Sequence, residues 1–473
     1  MMTGAKNLNR ETVFADLPDI WQSDLMPEIR EQIAKTDAKV IVLDDDPTGT
    51  QTVHDVTVLT TWSVDALQGA LLDKSAAVFI LTNTRSMTAF WTEKVNCEIA
   101  ENLKRASRET GRDFVIVSRS DSTLRGHFPL ETDILAETLQ LSPDAILIMP
   151  AFMAGGRYTI KGVHYVAEGD ALIPASETAF AQDATFGYQH SDLRDWIAEK
   201  TNNRVARDDV AVITINEIRD GGVETVKSRL LSLENSTYCA IDATTERDIE
   251  VITLAIIQAE AEGKRFLYRT AASFAAIRAG IALRPLLSSE ELQTNRSGGG
   301  LVVVGSYVPK SSSQLSHLLA SRQVVGLEVN VWRLLKNASK LMEIEHVVEK
   351  ASSLLQSDIN VAIYTSRELI TGDDADSSLS IGNVISDSLV QITKQLQAHA
   401  RYVIAKGGIT SSDLATKALQ VKQAKVIGQI LAGIPVWRLD ENCAEPDLIY
   451  VVFPGNVGTV ASLSEAVVKL DEG

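Results

Sequence analysis

The stretch KVIVLDDDPTGTQT, residues 39–52, decides how the rest of the chain is read. Val40, Ile41, Val42 and Leu43 form an apolar, β-branched run of the kind found in a buried parallel strand. The run stops in three carboxylates, Asp44, Asp45 and Asp46, followed by Pro47 and Gly49, which end a strand. In open α/β sheets, ligands bind beyond the carboxyl ends of strands. Three adjacent aspartates repel one another, so something here should offset the repulsion: a metal, a basic ligand or a proton to abstract. For DDD alone, an acidic turn that starts a helix remains the alternative.

Outward from this stretch, strands and helices alternate. Residues 1–36 read as an N-terminal helical extension with a short amphipathic helix at 28–35. Apolar strands are expected at 56–61, 77–81, 114–117 and 145–149, separated by helices at 63–72, 89–110 and 130–140. Residues 151–190 break the pattern, and their Gly, Thr and charged residues point to short β-hairpins beside a site. Alternation resumes from residue 192. The run SSEELQTNRSGGG, residues 288–300, reads as a linker, beyond which a second βα unit begins at Leu301. The expectation is a two-domain α/β protein. A first domain spans 37–287, a linker 288–300 and a second domain 301–473, each a three-layer arrangement on a mostly parallel sheet.

Composition narrows the function. A chain of 473 residues, 45% hydrophobic and 23% charged, has the makeup of a globular protein with two or three domains. A net charge of −17 argues against a nucleic-acid or anionic-membrane surface. The first residues show no signal peptide and no stretch approaches a transmembrane span, so a cytoplasmic location is expected. Cys97, Cys239 and Cys443 form no CxxC pair, and the histidines show no metal-ligand spacing.

In the first half, three strands end in polar clusters: DDDPTGTQT, TNTRS (82–86) and SRSDSTLRGH (118–127). Parallel strands of one sheet would place these ends along one edge, bringing Arg85, Arg119 and Arg125 near Asp45, Asp46 and Asp121. Arginine forks suit carboxylates and phosphates, while carboxylates suit sugar hydroxyls and serve as bases. Read singly, Asp121 with Ser122 and Thr123 is also a fair helix or turn cap. Gly156, Arg157, Thr159 and Lys161 add a fourth polar group. In the second half GSYVPKSSSQ (305–314), YTSRE (364–368), KGGITSSD (406–413) and FPGNVG (453–458) follow apolar strands. Glycines there allow close backbone approach to a ligand, and a following helix offers free N–H donors to phosphate. No Walker A or GxGxxG string occurs.

Taken in order, these segments resemble the four-carbon acid sugar kinase family, long known only as a domain of unknown function. DDDPTGTQT looks like its DDxTGA motif, with Asp45 and Asp46 as the pair. SRSDSTLRGH resembles (K/R)xDSTLRGN. MPAFMAGGRYTIKGVHYV and ETAFAQD are similar to the family's PAFPxxGRxTxxGxHYV and ETxFAxD region. GSYVPKSSSQ, KGGITSSD and PGNVG look like its C-terminal GSxSxxTxxQ, GGETS and SGNFG elements. The chain departs at Val308, Ile409, Pro454 and Val457, and His127 stands where Asn is expected.

The resemblance implies an ATP-dependent kinase that phosphorylates the terminal 4-hydroxyl of threonate, erythronate or a 3-oxo form, with its active site in the interdomain cleft. Asp46 or Asp45 would be the base, with Asp121 as the alternative, and Arg85, Arg119, Ser122, Arg125 and Arg157 would bind the acid. Gly305, Ser306, Gly407, Gly408, Ile409, Thr410, Gly455 and Asn456 would hold ATP. Mg²⁺ should accompany the nucleotide, Gly299 would act as a hinge, and a homodimer is expected. Val308, Ile409 and Pro454 keep open a non-catalytic sugar-acid sensor with a degenerate nucleotide site. The missing GxGxxG argues against a nicotinamide-dependent hydroxy-acid dehydrogenase.

Overall fold

The computed structural model describes residues 8–36, 38–282, 284–367, 370, 375–441 and 443–473; the side chains of 375–379 and Glu368 of the YTSRE segment lie outside that description. The chain forms two compact units. One comprises Met1–Gly49 and Trp62–Ala282, the other Thr50–Thr61 and Leu283–Gly473. The opening stretch is therefore divided: its aspartates belong to the first unit, and Thr50, Gln51 and Thr52 to the second.

The first unit carries a parallel sheet. Its strands lie in the order Ala211–Ile213, Thr237–Ile241, Ala145–Met149, Phe266–Thr270, Phe114–Arg119, Lys39–Asp44, Ala77–Leu81. The Lys39–Asp44 strand is buried along its whole length. Even Lys39 is covered, its ammonium donating to the carbonyls of Asp73 and Ser75 at 2.5 Å each. Such continuous burial is what a β-branched run without alternation dictates. Helices join the strands where caps permit. Ser63 caps Val64–Leu72, Thr88 caps Ala89–Thr110, and Gly111, at φ 69°, closes the latter. The irregular region after Pro150 forms short strands, as its composition suggested. Arg157–Ile160, Val163–Glu168 and Ala171–Pro174 pair antiparallel, and Leu8–Asn9 adds a fourth strand.

In the second unit the strands Ile449–Phe453, Tyr402–Lys406, Leu301–Val304, Val361–Thr365 and Val325–Val329 run parallel in that order. Ile434–Leu439, Gln423–Leu431 and Val56–Leu59 extend the Ile449 side antiparallel.

Residues 288–300 differ from the expected free linker. Leu287 and Leu292 are buried in the second unit's core with Val302, Ile404 and Val451. Arg296 donates to the Ala400 carbonyl at 3.1 Å and to Glu445 at 2.8 Å. A side chain on Gly299 would strike the Ile359 backbone, and one on Gly300 the Tyr402 ring. These glycines serve close packing, so Gly299 is no hinge. Among the described residues, no helix is long and apolar enough to cross a membrane.

Candidate active site and anion cradle

In the first unit, the parallel register sets Asp44 opposite both Leu81 and Arg119, so the polar segments that follow these strands share one sheet edge. Asp44 is the innermost aspartate. It is 2% exposed and accepts from Arg119 Nη1 at 2.9 Å. Burial pushes its carboxyl up to about 7; Arg119 opposes this while Asp45 and Asp46 add to it. Asp45 is clamped by Arg85, Nε at 3.2 Å and Nη2 at 2.5 Å, and accepts from Ser120 Oγ at 2.8 Å.

Asp46 stands further out, its side chain 20% exposed. Its Oδ1 accepts from Thr48 N at 2.8 Å and Thr48 Oγ1 at 2.5 Å, and its Oδ2 lies 3.3 Å from Arg85 Nη1. Burial raises the Asp46 pKa, but the Arg85 charge and the Thr48 bonds outweigh it and hold the carboxyl below its usual value. Asp121 is bonded to Arg125 Nε at 2.7 Å and to Thr123, with Arg85 4.0 Å away. Against its burial, Arg85 and Arg125 hold it well below the carboxylate range. The four aspartates thus sit in a lattice of arginines that offsets their mutual repulsion.

The arginines expected to bind a substrate acid divide accordingly. Arg119 is 5% exposed and committed to Asp44, so it is framework. Arg85 and Arg125 are half-buried and paired, Arg125 also lying 3.5 Å from Asp183. Arg157 differs: no described carboxylate lies within ion-pair reach, and its Nη1 donates to the Gly155 carbonyl while its buried Nε, like that of Arg119, has no acceptor. The charges of Asp121 and Arg125 act on it, and it and Arg125 both face the Phe180 ring, at 5.6 and 5.1 Å. Ser122 is 7% exposed, and its carbonyl bonds His164 Nε2 at 2.8 Å. His164 accepts from the Thr159 hydroxyl at 3.0 Å through Nδ1, and burial lowers its pKa to about 4.

Sequence reading missed two supports. Arg269, 1% exposed, donates to the carbonyls of Asp121 at 3.1 Å and Arg125 at 2.9 Å, fixing the 120–126 loop. Glu131 accepts from Thr84 Oγ1 at 2.7 Å, in the turn that presents Arg85. Burial, reinforced by Asp45, pushes Glu131 up to about 7. Glu131 follows its motif by several residues in an ordinary helical pattern, so nothing local marks it.

In the second unit, three glycine turns converge on Ser306. A Cβ at Gly407, where φ is 118°, would lie 2.9 Å from Ser306 Cβ; one at Gly455 would lie 3.3 Å from Ser306 Oγ; one at Gly305 would strike the Thr410 hydroxyl. Gly408 opens the helix Gly408–Asp413, Thr410 is buried within it, and Asn456 is exposed. Ile409 is 66% exposed; Val308, 39% exposed, lies beside the Gly455 turn, where an added Cβ would come 3.7 Å from it. Lys406 and Arg367, not singled out from sequence, lie beneath these turns. Arg367 donates to the Ser306 carbonyl at 2.8 Å.

Residues 40–278 match the model of a sugar-binding N-terminal domain, and residues 301–463 that of a nucleotide-binding C-terminal domain. The chain belongs to the four-carbon acid sugar kinase family. Solved structures share the fold of this family member. A Salmonella typhimurium LT2 protein, provisionally named a tRNA synthase, is similar at TM-score 0.67 and 18% identity, over 91% of this chain and 98% of that one. Haemophilus influenzae protein HI1011, of the DUF1537 family, is similar at TM-score 0.63 and 18% identity, over 91% and 100%. No curated protein sequence matches. The family assigns sugar binding to the aspartate–arginine unit and nucleotide binding to the glycine-turn unit.

Proposed function

We propose that the protein is an ATP-dependent kinase that phosphorylates the terminal 4-hydroxyl of a four-carbon sugar acid of threonate, erythronate or 3-oxotetronate type. Arg157 carries the reading. It is the half-buried cation left without a carboxylate in a site where Arg85, Arg119 and Arg125 are engaged, so an acid ligand completes it. Arg125, which faces the same Phe180 ring, would complete that clamp by giving up its 3.5 Å contact with Asp183.

Asp46 is the base. Its Oδ2 has one long contact, to Arg85, and can accept a hydroxyl proton, whereas Asp45 is saturated by Arg85 and Ser120. A carboxylate held ionised suits phosphoryl transfer, where positioning and charge neutralisation dominate and the proton leaves late. Asp45 and Asp121 orient Arg85 and Arg125. ATP would lie on the turns of Gly305, Ser306, Gly407, Gly408, Thr410, Gly455 and Asn456; the Gly407 N–H already donates to the Phe453 carbonyl at 2.8 Å, so phosphate oxygens would take the N–H groups of Gly455 and Asn456.

Among the described residues, no group of three or more His, Cys, Asp or Glu side chains could hold a metal. These residues do not fit a resident Mg²⁺ site, so Mg²⁺ enters with the phosphates of the nucleotide.

A coupled ADP-release assay across the threonate, erythronate and 3-oxotetronate isomers tests the reading. Turnover on at least one is expected; no turnover on any overturns it.

A further inference from the structure

Lys406 ends the strand Tyr402–Lys406 and is wholly buried, yet no carboxylate pairs with it among the described residues. Its ammonium donates to the carbonyls of Pro454 at 2.5 Å and Gly455 at 3.2 Å, and lies 4.1 Å from the Phe453 ring centre. Ser311 Oγ donates to the same Gly455 carbonyl at 2.9 Å.

A trans peptide points its N–H opposite to its C=O. With both carbonyls drawn toward Lys406, the N–H groups of Gly455 and Asn456 face away from it. Neither donates to a protein acceptor among the described residues. A buried positive charge therefore underlies two free, aligned donors, which is the arrangement an anion requires.

We propose that Lys406 is a positioning residue for a polyphosphate: its ammonium turns the Gly455 and Asn456 N–H groups toward the ligand and charges the cradle beneath them, so the second unit holds polyphosphate tightly only while Lys406 is protonated. The assignment rests on the nucleotide reading above and adds to it a proton-controlled anion site.

The surroundings support this. Lys310 stands on the neighbouring helix Pro309–Ala320, Arg367 follows the strand Val361–Thr365, and Asp413 is paired to Lys417 at 2.9 Å. Of these, Lys310 alone acts on Lys406; burial first and Lys310 second lower its pKa to about 7. An anion on the cradle favours the protonated form, and the ammonium is lost as pH rises.

Calorimetric titration of the full chain with tripolyphosphate at about pH 6.5 and about pH 9 reads this directly. Binding should be about tenfold weaker at the higher pH, although the ligand itself becomes more negative. Lys406→Met should bind weakly at both, and Lys406→Arg should bind tightly at both. If neither variant folds, the wild-type comparison decides. No binding, constant or tighter wild-type binding at high pH, or unchanged affinity in a folded Lys406→Met, overturns the assignment. ATP titrations separate the two readings. ATP failing to bind where tripolyphosphate behaves as expected overturns the kinase reading and leaves Lys406 standing; ATP bound equally by Lys406→Met overturns Lys406 and leaves the kinase.

Discussion

Arg85 grips Asp45 with two nitrogens, Nε at 3.2 Å and Nη2 at 2.5 Å, while Nη1 reaches Asp46 at 3.3 Å. One guanidinium thus holds two adjacent carboxylates in different states of engagement, one saturated and one open. The proposed division between a structural Asp45 and a base at Asp46 rests on this asymmetry.

Asp45→Asn should cost stability and Asp46→Asn should cost rate. Removing the charge of a 3% exposed carboxylate leaves Arg85 undercompensated, at about 3 to 5 kcal/mol by urea unfolding. Asp46→Asn, whose longer Arg85 contact is weaker, should cost less stability than Asp45→Asn and lose about 100- to 10,000-fold in kcat. The reverse pattern would exchange their roles.

Arg157→Met should raise the KM for the sugar acid about tenfold to 100-fold, the worth of a charge-assisted hydrogen bond. No ion pair is broken, so the melting temperature should stay within a few degrees. Calorimetry with the acid alone checks the binding; unchanged affinity would remove Arg157 from the clamp.

Glu131 gives a pH signature. Its folded-state value of about 7 lies above the ordinary 4.5, so the folded protein holds the proton that the unfolded chain releases between them. Stability is full below about pH 4.5 and falls as pH rises toward 7, by about 1.4 kcal/mol per unit. Glu131→Gln keeps an acceptor for Thr84 and removes the titration. Urea unfolding should show it equal to wild type near about pH 4.5 and more stable near about pH 8.

Gly455→Ala should fold normally and bind nucleotide about tenfold more weakly. The added Cβ lies 3.3 Å from Ser306 Oγ and 3.7 Å from Val308, a fit that costs little in the fold but encroaches on the cradle. Equal ATP affinity in the variant would move the phosphates elsewhere.

Much of this was legible in the sequence, because strand ends announce themselves. The apolar run from Val40 stops at aspartates, and the helix Ala89–Thr110 has the expected limits. Periodicity locates a strand end but not the pairing of the side chains there. That Arg119 serves Asp44 while Arg157 has no carboxylate partner among the described residues depends on packing in three dimensions. The glycines at 298–300 misled for a related reason: composition alone does not separate a flexible linker from a backbone pressed against Ile359 and Tyr402. Lys406 read only as the first residue of the glycine segment KGGITSSD, since nothing in KGG reveals that the carbonyls it grips lie some fifty residues on.

The strand Val56–Leu59 pairs with Gln423–Leu431, Val58 opposite Ala424, so the chain passes between units after Gly49, returns after Thr61 and leaves again after Ala282. Neither unit is then a continuous reading frame. Joining the first half of one relative to the second half of another at a single crossover would install a foreign strand beside Gln423–Leu431. Inheritance of this architecture therefore favours the two halves travelling together, and chimeras built to exchange sugar preference would need residues 50–61 transplanted with the nucleotide half.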